Sequence, residues 1–393
     1  MRIAHVADPH LGFRQYTRLT SRGLNQREAD VATAFGRAID GVIASAPDVV
    51  IVAGDIFHSV RPTNSAILFA FRQLARLVDR LPGVPVIAIA GNHDTPRSTD
   101  TVSIFGLFHE LGIHVVHDDA RRLDFPERGL SVLAVPHQAL FREPRLAFEP
   151  AGQAPHQVLV LHGETPGLFG PDRGGAEPGG AFLSTEELTG GDWSYVALGH
   201  YHVQHQVRER IWYAGALDYV SPNPWGELRE ERERAIPGKG WLLADLASGT
   251  VTPHFIEPPR RVIDLRTIDA GDFASAELDR MLEEAVESVP GAIDDAVVRQ
   301  VVINVPRTMA RELDHAEIRN WKARALHFQL DLRRPEAAGR VVGIGAPGTR
   351  QTLPEIVAAH LAARPLPASV DREAFVRVGT DLMTTLEQDT QAS

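Results

Sequence analysis

The sequence predicts an α/β protein that opens on parallel strands, continues into a second, smaller α/β unit and ends in two helices. Three observations carry this. Short apolar runs alternate with amphipathic stretches up to about residue 116, the texture changes after Pro258-Pro259, and a Gly-, Ala- and Pro-rich stretch precedes the last apolar pattern. The first strand candidates cover residues 3–7, 49–53 and 84–90, too short for helices and bounded by polar loops. Between them, residues 26–46 and 64–80 place apolar side chains at helical spacing, as with Ile67, Phe71, Leu74, Leu77 and Val78. Strand, helix, strand in this order is βαβ logic.

Further strand candidates follow at 130–135, 158–161 and 195–198, then an antiparallel group at 203–208, 211–214, 240–244 and 251–256. Residues 167–180 are rich in Gly and Pro and read as an exposed loop. The second unit is expected as strand 262–268, helix 273–287, strand 297–305 and helix 312–329. Residues 335–350 read as a linker. Beyond it, Leu353, Ile356, Val357 and Leu361, then Phe375, Val376, Leu382, Met383 and Leu386, mark two amphipathic helices, with Asp371 as the N-cap of the second. Two such helices bury little alone, so their apolar faces call for a partner.

The 393 residues are 44% hydrophobic and 23% charged, a globular composition that sets intrinsic disorder aside. No apolar run reaches the ~18 to 20 residues of a membrane span, and the start runs directly into a strand candidate without a basic leader. The expected location is cytoplasmic and off the membrane. With no cysteine, any metal must be held by His, Asp, Glu, Asn or water, which directs attention to the 17 histidines. A net charge of −11 argues against coating nucleic acid through overall positive potential, but leaves room for a local basic track beside a metal-centred site.

Five polar clusters occupy one kind of place, the carboxyl end of a strand candidate. They are Asp8-Pro9-His10, Gly54-Asp55, Gly91-Asn92-His93-Asp94, His162-Gly163 and Gly199-His200-Tyr201-His202. In an open α/β sheet these ends share an edge where ligands bind, so residues from 8 to 202 can converge. Singly, Gly-Asp is a common turn and an isolated His is usually a surface or core residue. Together, carboxylates, imidazoles and an amide oxygen without sulfur suit two hard or borderline divalent ions, and phosphate ester hydrolysis is the matching reaction. His5, His109, His114, His117, His137, His156, His205, His254, His315, His327 and His360 lack such a setting and are read as structural or surface.

The ordered set D-x-H, G-D, G-N-H-D, H-G and G-H-x-H resembles the calcineurin-like metallophosphoesterase superfamily. His10-Leu11-Gly12, the string from Gly54 through Phe57-His58 to Pro62, and Gly91 to Asp94 resemble more narrowly the SbcD-type DNA repair nucleases, over residues 1 to about 220. The resemblance implies a sandwich of two mixed sheets flanked by helices, with a small α+β capping domain. It implies a nuclease domain at 1–260, a capping, DNA-positioning domain at 261–334, the linker at 335–350 and a helical ATPase-binding segment at 351–393.

The resemblance also implies one metal on Asp8, His10, Asp55 and His202 and another on Asp55, Asn92, His162 and His200, with Mn²⁺ expected and Asp55 shared. His93 would act on the scissile phosphate or leaving oxygen, oriented by Asp94, and His58 would lie at the rim near the DNA strand. The implied partners are DNA, an SbcC-like ATPase and a second copy of the chain. Arg307, Arg311, Arg319, Lys322 and Arg324 in the capping domain, and Arg14, Arg18, Arg22 and Arg27 after His10, are candidate phosphate contacts. Ile318, Trp321, Ala325 and Phe328 are the expected buried stripe beneath the first set. A phosphodiesterase acting on nucleotides or other small phosphoesters is the alternative, though it would not need the second unit or the terminal helices.

Overall fold

A computed structural model describes residues 1–95, 104–151, 153–166, 180–271 and 273–335, and near the C-terminus residues 357, 358, 360–362, 364 and 371–379. Two compact units divide the chain, Met1–Arg333 and Arg334–Ser393. The expected loop 167–180 lies outside the described residues except for Gly180, and so do the linker beyond Pro335 and much of the terminal helices.

The first strands are β1 (Arg2–Val6), β2 (Val49–Ala53), β3 (Val86–Ile89) and β4 (His114–Val116). They pair in parallel, β1 with β2, β2 with β3 and β3 with β4. Helices α1 (Gln26–Ser45) and α2 (Asn64–Arg80) provide the crossovers. Asn25 starts α1 by accepting from the N–H groups of Arg27 and Glu28, and Thr63 starts α2 by accepting from that of Ala66. Every residue of β2 and β3 is buried, as expected of a parallel sheet covered on both faces.

A second sheet takes β5 (Arg121–Phe125), β6 (Leu130–Val135), β7 (His156–His162), β8 (Tyr195–Gly199), β9 (His205–Arg208) and β10 (Ile211–Tyr213), in the order β5-β6-β7-β8-β10-β9. The short helices α3 (Thr185–Thr189) and α4 (Pro224–Glu233) follow β7 and β10. The strands β11 (Gly240–Asp245) and β12 (Thr250–Phe255) then return to the first sheet, where β11 pairs antiparallel with β1. The expected antiparallel group is therefore two hairpins in two sheets. β9 and β10 extend one, β11 and β12 the other, because α4 carries the chain across.

The two sheets are faces of a sandwich. α1 and α2 pack on the outer face of the first through Phe35, Ile39, Leu74 and Leu77. Ile51, Ile87, Val158, Val160 and Leu242 fill the space between the sheets, and Leu159, Leu161, Leu183 and Trp193 cover the outer face of the second. His5 Nδ1 and the Tyr195 hydroxyl meet at 3.0 Å, fully buried, as a polar tie between β1 and β8.

The remainder of the first unit forms a third sheet of β13 (Val262–Asp264), β14 (Ile268–Asp269), β15 (Val297–Ile303) and β16 (His327–Leu332), joined by α5 (Ser275–Glu287), α6 (Arg307–Glu312) and α7 (His315–Arg324). β13 and β14 pair with successive parts of β15 and β16 pairs along its other side, all in parallel. This sheet has its own core, which includes Ile318, Trp321, Ala325 and Phe328 as expected. The expected helix 312–329 is instead two short helices and a strand. Phe328, Leu330 and Leu332 alternate with polar residues, a period-two pattern that takes over where α7 ends.

In the second unit, Asp371 Oδ1 accepts from the N–H groups of Glu373 and Ala374 at 3.0 and 3.4 Å. It is the expected N-cap.

Candidate metal centre

The loops that leave β1 and β2 are zipped together beyond the strands. The N–H groups of Asp8, His10 and Leu11 donate to the carbonyls of Gly54, Asp55 and Ile56, at 3.2, 2.9 and 2.8 Å. Side chains at the two strand ends are thereby brought into one pocket. Asp8, His10, Asp55 and His200 all have positive φ, at 51°, 48°, 50° and 96°. A non-glycine residue pays to sit there, and four of them converging on one pocket is backbone strain gathered at a site. Glycine is required where the backbone passes the site most closely. A Cβ at Gly54 would strike the His162 imidazole, and one at Gly91 would strike the Asp55 carboxylate.

The pocket is dry at its base. Asp8, His10, Asp55, His162, His200 and His202 are at most 1% exposed, whereas Asn92, His93 and His58 are half-buried and form the accessible side. Ligand-type atoms of Asp8, His10 and Asp55 lie within 4.8 Å of one another, and so do those of Asp55, His162 and His200. The two groups share Asp55. Asn92 Oδ1 lies 2.9 Å from His162 Nε2 and 3.0 Å from His200 Nδ1. On the other side, His10 Nε2 and His202 Nε2 face each other at 3.1 Å.

Hydrogen bonds aim several of these atoms. His162 Nδ1 is 2.9 Å from the Ala53 carbonyl oxygen, which can only accept, so Nδ1 carries a proton and Nε2 is the atom turned to the pocket. The His200 N–H donates to both oxygens of Asp8, at 3.0 and 3.1 Å. Asp55 Oδ1 accepts from the His93 N–H at 2.8 Å. Its Oδ2 accepts no well-formed hydrogen bond among the described residues, with His162 Nε2 at 3.3 Å and His10 Nε2 at 3.6 Å. A buried carboxylate oxygen aimed between imidazole nitrogens, in a donor set of oxygen and nitrogen only, fits divalent cations.

Electrostatics point the same way. Burial pushes Asp8 up to about 6, with the His162 and His202 imidazoles opposing and Asp55 reinforcing. Burial acts against ionised Asp55 too, but the imidazoles of His162, His10 and His93 hold it well below the usual carboxylate range. Two buried acids side by side do not both ionise cheaply without compensating positive charge.

Beside this pocket, His58 and His93 stack at 5.0 Å between ring centroids. His93 Nδ1 is 2.8 Å from the His58 carbonyl oxygen, so Nδ1 carries the proton, and a protonated ring presents Nε2–H from its other edge. His58 Nδ1 lies 3.2 Å from His10 Nδ1.

The orienting partner of His93 is therefore the His58 carbonyl and not Asp94 as expected. Asp94 accepts instead from the backbone N–H groups of Ile56, Phe57 and Gly91, at 3.1, 2.9 and 3.1 Å. It locks the second and third loops together, and burial followed by the Asp55 charge raises it to about 7.

Two groups near the pocket were not anticipated. His137 is buried, its ring 6.2 Å from that of His162, and burial together with the His162 imidazole lowers it to about 4. The available signal was its place just after β6, the same strand-end position as the five clusters. Glu227 and Lys239 are buried beside His202. A charged stretch on a short helix reads as solvated surface in sequence, although Lys239 is one of only two lysines in the chain.

The candidate arginine track after His10 is corrected at Arg27 and Arg18. Arg27 is buried against Asp30, Asp218 and the Tyr219 carbonyl. Arg18 ties its loop to the third sheet through Asp295 and the carbonyls of Ala323 and Ala325, at 2.7, 2.9 and 2.6 Å. Arg14 pairs with Glu28 at 2.7 Å, while Arg22 is exposed. In the third sheet's helices Arg324 pairs with Asp294 at 2.9 Å, and Arg307, Arg311, Arg319 and Lys322 are exposed.

Residues 1–204 match the family described as calcineurin-like phosphoesterase. Among curated proteins the chain is similar to several DNA double-strand break repair proteins Mre11. It is 30% identical to that of Methanopyrus kandleri over 65% of this chain and 57% of that protein. For Saccharolobus solfataricus the identity is 26% over 68% and 67%, and for Sulfolobus acidocaldarius 39% over 65% and 63%. The matches thus span between 57% and 67% of the length of these three relatives. No helix among the described residues is long and apolar enough to cross a membrane.

Proposed function

The chain belongs to the calcineurin-like phosphoesterase family, and from that premise we propose that it is a Mn²⁺-dependent DNA nuclease, both exonuclease and endonuclease, working in double-strand break repair. The observation that carries this is the pair of ligand groups sharing Asp55 at the seam of the two sheets, with the His58–His93 stack beside them. Asp8, His10, Asp55 and His202 would hold one ion, and Asp55, Asn92, His162 and His200 the other. Held there, two divalent ions supply Lewis-acid charge for in-line displacement at phosphorus.

The chain's own residues do the rest. The buried base excludes water other than the reacting molecule. His93, with Nδ1 anchored on the His58 carbonyl, delivers a proton from Nε2 to the departing sugar oxygen, a transfer for which imidazole is the side chain best suited near neutral pH. His58 sits on the accessible side, where it contacts the strand next to the scissile phosphate. The similarity to DNA double-strand break repair proteins supports DNA as substrate. The division into a nuclease domain at 1–260, a DNA-positioning domain at 261–334, a linker at 335–350 and a helical segment at 351–393 that grips an SbcC-like ATPase belongs to the same reading, as does a homodimer.

The test is cleavage of blunt, hairpin and single-stranded DNA with Mn²⁺ or Mg²⁺, with cyclic nucleotides and small phosphodiesters alongside. Mn²⁺-supported DNA cleavage is expected. Turnover of the small esters with all DNA left intact, with and without the ATPase, would replace the reading by a small-molecule phosphodiesterase.

A further inference from the structure

His202 stands two residues beyond His200, on the segment that leaves β8. Behind it lies a closed ring of buried groups. Glu227 Oε1 is 3.4 Å from His202 Nδ1. Glu227 Oε2 accepts from Lys239 Nζ at 2.5 Å, and Lys239 Nζ also donates to the backbone carbonyl of His202 at 2.9 Å. None of the three is more than 4% exposed.

Glu227 lies in the first turn of α4, where the helix dipole favours a carboxylate. Lys239 immediately precedes β11. Three segments distant in sequence thus meet at one imidazole. Glu227 accepts from the Lys239 ammonium with both groups buried, an ion pair that keeps it a carboxylate.

Burying two charges is costly, and a well-packed apolar pair would serve packing as well or better. The ring does something apolar residues cannot. A carboxylate only accepts, so it holds the proton of His202 on Nδ1 and turns the Nε2 lone pair toward His10 and the pocket.

We propose that Glu227, clamped by Lys239, is a positioning residue that fixes the tautomer and ring orientation of His202 for metal binding. The inference rests on the two-ion reading above and names a residue that reading does not contain. Glu227 touches neither substrate nor ion, and acts through His202. Lys239 serves it twice, by fixing the carboxylate and by tethering the backbone that carries the imidazole. Glu231, 2.9 Å from Lys239 Nζ, is the second carboxylate of the ammonium. A Glu227 variant therefore does not strand Lys239 as an unpaired charge.

The experiment has two readouts. Mn²⁺ binding is followed through the EPR signal of the free ion, and the nitrogen shifts of the His202 imidazole are recorded by NMR on metal-free protein, with thermal melts as the fold control. In the wild type His202 should carry its proton on Nδ1. Glu227→Leu should weaken one of two Mn²⁺ ions by about 10- to 100-fold, the range for loss of such an outer partner, leave the other unchanged and shift His202 toward the Nε2–H tautomer. Glu227→Gln keeps an acceptor oxygen and should lose less than Glu227→Leu.

A wild-type His202 protonated on Nε2 overturns the inference whether or not the variants fold. So does Glu227→Leu binding both ions as the wild type does. Wild-type protein that binds no Mn²⁺ overturns the two-ion reading itself, a distinct outcome that takes this inference with it.

Discussion

The two sheets end in different chemistry. β1, β2 and β3 lead into Asp8, His10, Asp55, Asn92 and His93, which include both carboxylates, the amide and the proposed proton donor. β7 and β8 lead into His162, His200 and His202, imidazoles alone. The first group is tied to itself by backbone, through the zipped loops and the three N–H groups on Asp94. The second is aimed from outside itself, His162 by the Ala53 carbonyl, the His200 backbone by Asp8 and His202 by Glu227. One sheet supplies a rigid acidic floor, and the other supplies imidazoles whose direction the first sheet and α4 impose.

If that division is right, damage to the floor should cost more than damage to the opposite side. Asp55→Asn should abolish binding of both ions and lower DNA cleavage by at least about 10³-fold, roughly 4 kcal/mol in the barrier, whereas His162→Ala should remove one ion and leave the other measurable in the same Mn²⁺ titration. Equal losses from the two variants would erase the distinction.

Smaller in effect is His93→Ala, which should retain both ions while cleavage falls by about 10²- to 10⁴-fold, the span of a lost general acid. Cleavage at the wild-type rate would remove His93 from the mechanism.

The tie between the sheets away from the pocket can be tested by pH. Burial lowers His5 from its ordinary value to about 3. Its unfolded form therefore takes up a proton first on acidification. The stabilisation is complete above about pH 6.5 and is lost progressively as pH falls toward 3. At neutral pH His5→Leu should cost about 1 to 3 kcal/mol by leaving the buried Tyr195 hydroxyl without its partner, and its stability should fall less steeply between pH 6.5 and 4. Denaturant midpoints across that range check both.

The smallest effect belongs to Arg18→Ala. Arg18 is partly exposed and its interactions join the loop to the third sheet, so the variant should lose no more than about 1 kcal/mol. The salt dependence of DNA binding should keep its slope, because a residue engaged by protein carbonyls and Asp295 releases no counterions. A shallower slope would return Arg18 to the phosphate track.

Much of the floor was legible in sequence because apolar runs ending in Gly, Asp, Asn and His mark strand ends, and strand ends of one parallel sheet meet. α1 and α2 were legible from the helical period of their apolar residues. The pairing of ligands into two groups came from resemblance, since spacing does not say which side chains face each other.

What stayed hidden depended on three dimensions. Charge in sequence reads as exposure, so Glu227, Lys239 and Arg27 were invisible as buried ions. Phe328 fitted the helical stripe of Ile318 and Trp321, yet it belongs to a strand whose pairing with β15 overrides that period. The four positive φ values have no sequence signature at non-glycine positions.

The central claim is that two ions are held across the seam and share Asp55. Its most direct test is the EPR spectrum of protein loaded with Mn²⁺ to saturation, because ions bridged at ~3.5 to 4 Å couple magnetically. The account predicts two ions per chain and an exchange-coupled signal that Asp55→Asn removes. A single ion, or two that give only the sum of isolated Mn²⁺ spectra, would contradict it.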